Sequence, residues 1–174
     1  MSINIISTTA KIITSFIYQN EEHCFKAEQA LQKSFGPMED KKQIFSFDFT
    51  DYYNKEFGEP LKRKLVAFKG TKSIENIHQA KIISGEVEKS LSIDGKRTVN
   101  IDPGYLTEAK MVLLTTKDFM HRIYLKDGIF AEATLHFQKD TYKPWPWTYP
   151  DYASCGHIAY FNDIRSILRK DLGK

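Results

Sequence analysis

Residues 10–37 read AKIITSFIYQNEEHCFKAEQALQKSFGP, and the interpretation of that stretch sets the fold class. Ala10 to Tyr18 is an apolar run rich in β-branched residues, the composition of a buried strand. Asn20 then offers a side-chain oxygen that caps a helix, with Glu21 and Glu22 placing carboxylates at its positive end. Cys24, Ala27, Leu31 and Phe35 recur at three- and four-residue spacing on one helical face, and Gly36-Pro37 stops the helix.

Outward from this unit the alternation repeats. Across Gln43 to Thr50, Phe45, Phe47 and Phe49 alternate with Ser46, Asp48 and Thr50, the period of two expected of a strand with one buried face. Leu61 to Phe68 reads as another strand. Ser73 caps a second helix with the stripe Ile77, Ala80, Ser84, Val87 and Leu91, and Asp94-Gly95 turns into a strand over Arg97 to Ile101. The order strand-helix-strand, strand-helix-strand predicts an α+β fold with a ferredoxin-like split βαβ core.

Three further strands, Lys110 to Thr116, His121 to Leu125 and Ile129 to Phe137, extend that core as an antiparallel meander; Thr107 is also a helix-cap type, which leaves a helix over Thr107 to Thr116 as the alternative. Ile158, Phe161, Ile164, Leu168 and Leu172 mark a C-terminal helix. A three-residue loop, Lys126 to Gly128, groups His121, Ile123, Leu125, Ile129, Ala131, Ala133 and Leu135 on one face and sets Arg122 opposite Glu132. A two-residue loop would mix polar and apolar side chains on both faces.

The 174 residues make one domain, 1–174, with 1–9 expected as a flexible N-terminus. Such a chain buries roughly 70% of its unfolded surface, so its core needs no staple. Two cysteines, Cys24 and Cys155, are too few for a disulfide framework, and residues 1–9 lack the features of a signal peptide. No apolar run approaches the ~20 residues of a membrane span. These features point to the cytoplasm and to no membrane partner. A net charge of +3 from 25 basic and 22 acidic residues gives no strong field for polyanions.

Aromatics are abundant, with 12 Phe, 9 Tyr and 2 Trp, concentrated in Phe45 to Phe57 and Tyr142 to Tyr152. Lys143 to Tyr152, with three prolines, runs extended over the surface, and its two Trp carry more apolar area than a linker leaves in water. Closing a core is the simpler role for it; walling a pocket is the alternative.

Phe47-Asp48-Phe49-Thr50-Asp51-Tyr52-Tyr53, Val99-Asn100-Ile101-Asp102-Pro103-Gly104-Tyr105-Leu106, Thr116-Lys117-Asp118, His121-Arg122-Ile123-Tyr124-Leu125, Gly128-Ile129-Phe130-Ala131-Glu132 and Pro146-Trp147-Thr148-Tyr149-Pro150-Asp151-Tyr152 together resemble the bacterial domain-of-unknown-function family 4416. The resemblance spans nearly the whole chain and implies no activity, although some relatives carry a GTP-binding label. The sequence gives that label little support. No G-x-x-x-x-G-K-[ST] occurs, Gly70-Thr71-Lys72-Ser73 lacks the first glycine, and in Thr115-Thr116-Lys117-Asp118 the Lys and Asp are adjacent and point apart.

The candidate ligand-binding residues are Asp48, Asp51, Asp102, Lys117, Asp118, Arg122, Glu132, Tyr149 and Asp151. Carboxylates at strand ends bind Mg²⁺ or exchange protons, and Arg or Lys hold phosphate or carboxylate. Mg²⁺ is thus a possible cofactor, and a small anionic ligand, phosphorylated or nucleotide-like, the expected partner. The local alternative is that Asp48 and Asp51 cap turns, Asp102-Pro103-Gly104 is a turn, and Arg122 pairs with Glu132 across strands. His121 falls on the apolar face and reads as a core histidine bonded to backbone. No zinc site is expected, because neighbours such as His23-Cys24 point about 100° apart on a helix. An RNA-binding module, with Lys62-Arg63-Lys64 as local positive charge, lacks the glycine-aromatic signature of such domains, which favours a small molecule over nucleic acid. A protein-interaction subunit anchored on the Trp segment is the third reading.

Overall fold

The computed structural model describes residues 9–174. The expected flexible N-terminus lies outside the described residues, except that Thr9 already opens the first strand. In chain order the elements are β1 (Thr9–Tyr18), α1 (Glu21–Phe35), β2 (Gln43–Ser46), a 3₁₀ turn (Asp51–Tyr53), α2 (Asn54–Phe57), β3 (Lys62–Ala67), β4 (Lys72–Ser73), α3 (His78–Ser90), β5 (Val99–Leu106), β6 (Lys110–Thr115), β7 (Ile123–Lys126), β8 (Ile129–Gln138), β9 (Thr141–Pro144) and α4 (Cys155–Asp171). Among the described residues nine strands form one antiparallel sheet in the order β2-β3-β1-β5-β6-β8-β7, with β4 on β1 and β9 on β8. The fold is α+β. No helix among the described residues is long and apolar enough to cross a membrane.

β1 is buried on both faces, in keeping with its mostly apolar sequence. Ile12, Phe16 and Tyr18 pack under α1 and α3 with Cys24, Leu31, Ile77 and Ala80. Ile13 faces α4 through Leu65, Met111, Tyr160, Phe161 and Ile164. Ile17, on that same side, meets Phe47, Leu61, Tyr53 and Phe57 in a smaller cluster beneath the 3₁₀ turn and α2. Helices thus cover both faces of the sheet. Asn20 caps α1 as its side chain accepts from the Glu22 N–H at 2.8 Å.

Several expectations are corrected. Ser73 caps only a local turn, accepting from the Glu75 N–H; Lys72–Ser73 pair with β1, and α3 starts at His78. The strand after Asp94-Gly95 begins at Val99 and runs straight through Asp102-Pro103-Gly104, which is therefore not a turn. Residues 110–115 are strand, so the helix alternative falls. The meander is also corrected: β6 pairs with β8, and β7 folds back to the outer edge of the sheet.

The β7–β8 register combines both readings. Tyr124 faces Phe130 and Ile123 faces Ala131, as a three-residue loop requires, yet Lys126 pairs with Ile129 across a two-residue turn. Asp127 and Gly128 both take positive φ, 52° and 76°, the geometry of a primed hairpin turn, and an irregularity at Leu125 absorbs the extra residue. The face carrying Ile123 stays uncovered at this edge, where Ile123 is 72% exposed.

One feature of β5 positions the candidate site. Its ladder to β6 covers only Gly104 to Leu106, matched with Leu113 to Met111. Gly104 is needed there, because a Cβ would lie 2.2 Å from the Val112 carbonyl oxygen. One residue earlier, Pro103 has no N–H to continue the ladder, and the two strands part.

Candidate functional site

The parting of β5 from β6 opens a cleft of about 620 Å³ lined by the 3₁₀ turn, β3, α3 and the loop before α4. That volume suits a small-molecule ligand. Six of the nine candidate residues line it: Asp102, Lys117, Arg122, Glu132, Tyr149 and Asp151. Asp48, Asp51 and Asp118 do not. Asp48 and Asp118 are exposed, and Asp51 opens the 3₁₀ turn and accepts from Asn54 Nδ2 at 3.3 Å.

Arg122 and Glu132 form the cross-strand pair expected of them, with Arg122 Nε donating to Glu132 Oε2 at 2.9 Å. The other guanidinium nitrogens donate to the Lys117 carbonyl at 3.0 Å and the Tyr149 hydroxyl at 3.2 Å. Burial works against the Arg122 charge, but the Glu132 carboxylate raises its pKa above the ordinary arginine value. His121 is corrected: its Nε2 lies 2.9 Å from the same Glu132 oxygen, not from backbone, and its ring stacks on Trp147 at 5.1 Å. Glu132 is 2% exposed, so two cationic or donor groups on one oxygen satisfy what would be a costly buried charge.

The Trp segment serves both roles weighed for it. Trp147 Nε1 donates to the Ala133 carbonyl at 3.0 Å and Thr148 Oγ1 to the Thr134 carbonyl at 2.5 Å, closing the β8 edge between β7 and β9. Trp145 and Trp147 stack at 5.2 Å. Beyond them Tyr149 walls the cleft, while Tyr152 packs into the core beside Phe161.

A buried arginine that sequence reasoning passed over lies at the cleft floor. Arg63 was read as part of a local positive run, but it shares a face of β3 with Leu61, Leu65 and Ala67, which points it inward. That period-two pattern was the available signal. Its Nη1 donates to Ser15 Oγ at 2.6 Å and Tyr152 Oη at 3.1 Å; its Nε lies 2.8 Å from Asp151 Oδ2, an ion-pair contact out of hydrogen-bond alignment. The guanidinium sits over the Phe47 and Tyr152 rings at 4.9 and 5.0 Å. Burial opposes its charge, but Tyr152, Asp151 and Asp102 together hold its pKa above the usual value. The same burial pushes the Tyr152 hydroxyl up. His157, stacked on Phe45 at 4.2 Å, is held neutral: burial, then Arg63, lowers its pKa to about 4.

α3 supplies the remaining polar lining, also missed in the sequence. Glu88 Oε1 accepts the Ile101 N–H at 2.5 Å, and Lys81 Nζ donates to the Ile101 carbonyl at 2.9 Å. Side chains thus stand in for the strand partner that β5 lost. Burial raises the Glu88 pKa, and the Ile101 N–H works against that. Arg97 grips Glu56 of α2 with two 2.7 Å bonds and donates to Asn100 Oδ1, whose amide in turn donates to Asp102 Oδ2. The signal here was weak, since Lys81 and Glu88 lie off the apolar stripe of α3 and look like solvated surface.

Among the described residues no group of three or more His, Cys, Asp or Glu side chains is placed to hold a metal ion. Cys24 is buried on the inner face of α1 and Cys155 is exposed at the start of α4. No curated protein and no solved structure matches the chain. Residues 8–168, most of the chain, do match one family, and the chain belongs to it: the family described as Domain of unknown function (DUF4416).

Proposed function

We propose that the chain binds a small anionic compound, phosphorylated or nucleotide-like, in the cleft between β5 and β6. The observation that carries this reading is the charge pattern of the lining. It contains five cations, Arg63, Lys81, Arg97, Lys117 and Arg122, against four carboxylates, Glu88, Asp102, Glu132 and Asp151. Each carboxylate lies within 4 Å of one of the first three cations or Arg122: Asp151 of Arg63, Asp102 of Lys81, Glu88 of Arg97 and Glu132 of Arg122. Lys117 pairs with no carboxylate among the described residues and stands 5.5 Å from the Tyr52 ring centroid. An anion entering the cleft meets an uncommitted ammonium at its mouth, with the Arg122 guanidinium close behind.

The test is calorimetric titration with mononucleotides, sugar phosphates and inorganic phosphate, each with and without Mg²⁺. At least one phosphorylated compound binds, and Lys117→Ala weakens it about tenfold, the loss of roughly 1.4 kcal/mol, while the melting temperature of the free protein holds. Lys117 is the right position because its exposed side chain leaves no buried partner behind, whereas Arg122→Ala would strand Glu132. If no phosphorylated compound gives heat or thermal stabilisation, the reading is wrong. Binding of RNA alone, falling steeply with salt, would replace it with the nucleic-acid reading.

A further inference from the structure

Burial in a core accounts for most of the aromatic rings around the 3₁₀ turn, but not for the ring that the turn presents to the cleft. Tyr53 points inward: it packs with Ile17, Phe47 and Leu61 and stacks on Phe57 at 5.8 Å. Its neighbour Tyr52 is turned out. Thr50 Oγ1 accepts the Tyr52 N–H at 3.1 Å and fixes the start of the turn, and the Tyr52 side chain is left 65% exposed, its ring perpendicular to that of Tyr53 with centroids 4.9 Å apart. The same division recurs in the loop before α4, where Tyr152 fills the core and Tyr149 is 51% exposed. Phe49, 45% exposed, adds a third ring, and all three line the cleft.

Single exposed apolar side chains are ordinary on a protein surface, whereas large rings gathered at one opening form a patch, and a patch rimmed by polar groups marks a binding surface. Here the rim is cationic. Lys117 Nζ stands over the Tyr52 ring, 5.5 Å from its centroid, and Arg122 Nη2 donates to the Tyr149 hydroxyl at 3.2 Å. Arg122 Nη1 also donates to the Lys117 carbonyl at 3.0 Å, which joins the two ring–cation pairs into one unit. An anion drawn to Lys117 therefore arrives beside the face of an aromatic ring. Inorganic phosphate or a sugar phosphate would use the cations and leave the rings in water, while a ligand with a flat apolar part would use both.

We infer that the ligand joins its phosphate to a planar aromatic ring, and that this ring stacks on Tyr52 while Tyr149 flanks it. The inference rests on the anion-binding reading and names the substrate class for that site: a phosphate ester of a heteroaromatic compound, with its phosphate at Lys117 and Arg122. A nucleoside 5′-monophosphate and a phosphorylated pyridine share this chemistry, and a cleft of about 620 Å³ admits either. Stacking works with any ring that offers a π-face, so Tyr52 selects for flatness and not for one base.

The full chain is titrated by calorimetry with the four 5′-ribonucleotides, pyridoxine 5′-phosphate, ribose 5-phosphate and inorganic phosphate. One or more of the ring-bearing esters bind at least about tenfold tighter than ribose 5-phosphate, and which of them do so identifies the source of the ring. Tyr52→Ala, a change at an exposed position whose melting temperature matches the parent, removes that margin and leaves ribose 5-phosphate affinity unchanged. Tyr52→Phe keeps the margin, since stacking needs the ring and not the hydroxyl. Ring protons of the bound ester move upfield with the parent and with Tyr52→Phe, and lose that shift in Tyr52→Ala. Ribose 5-phosphate binding as tightly as every ring-bearing ester overturns the ring inference and leaves the anion site standing. A margin that survives Tyr52→Ala overturns the stacking assignment. Failure of every phosphorylated compound overturns both readings.

Discussion

Arg63 shows how one residue sets the chemistry of a site. It is 5% exposed, bonded to Ser15 and Tyr152, and in charge contact with Asp151, which is itself 3% exposed. Removing one member of such a pair strands a buried charge, so Arg63→Met should lower unfolding free energy by about 3–5 kcal/mol in urea titrations. Arg63→Lys should recover little of it, because one ammonium cannot reach Ser15, Tyr152 and Asp151 together. A variant as stable as the parent would show that Asp151 finds another partner. Asp102, Lys117, Arg122, Glu132, Tyr149 and Asp151 were legible from their residue types and positions near strand ends. Arg63 was obscured by Lys62 and Lys64, whose charges hide the inward-facing alternation of the strand. Asp48, Asp51 and Asp118 had the right chemistry and the wrong address: each belongs to an exposed loop or turn, where a carboxylate is as useful to the backbone as to a ligand.

At the scale of elements, α3 does what a strand would otherwise do. Its Glu88 and Lys81 take the N–H and C=O of Ile101, so β5 can end its ladder at Pro103 without leaving that edge unsatisfied. Glu88→Ala should therefore cost about 1–3 kcal/mol, the price of one unpaired buried amide, and Glu88→Gln, which keeps an acceptor oxygen, clearly less. Equal losses in the two, read from the same chemical melts, would show that the Glu88 charge, and not its bond to Ile101, is what matters. Local patterns located most elements because each amphipathic period reports one face of one segment. They failed where long-range pairing decides: β4 at Lys72–Ser73 exists only because β1 lies beside it, and β7 takes the sheet edge because β8 pairs with β6. Asp102-Pro103-Gly104 has turn composition, yet β1 holds it extended over eight paired residues of β5.

Across the whole molecule, α4 closes the face opposite α1 and α3, and its docking depends on a neutral histidine. His157 packs against Phe45, with Ser154 Oγ 2.9 Å from Nδ1 and Nε2 buried without a partner among the described residues, and its pKa is lowered from 6.5 to about 4. A folded-state pKa below the unfolded value means that the unfolded chain binds the extra proton first as pH falls. The stabilisation is complete above pH 6.5 and is lost between 6.5 and about 4. The melting temperature should fall across that window, and His157→Gln should flatten the slope; an unchanged slope in the variant would assign the acid sensitivity elsewhere. By itself the sequence determined the segments, their amphipathic faces, the mixed α+β class and the chemical types available for a site, because these follow from periodicity and composition within short windows. Tertiary structure alone decided which strands pair, where β5 and β6 separate, which carboxylates are neutralised and which cation is left over. Those outcomes depend on groups far apart in the chain meeting in space, and no local pattern records such a meeting.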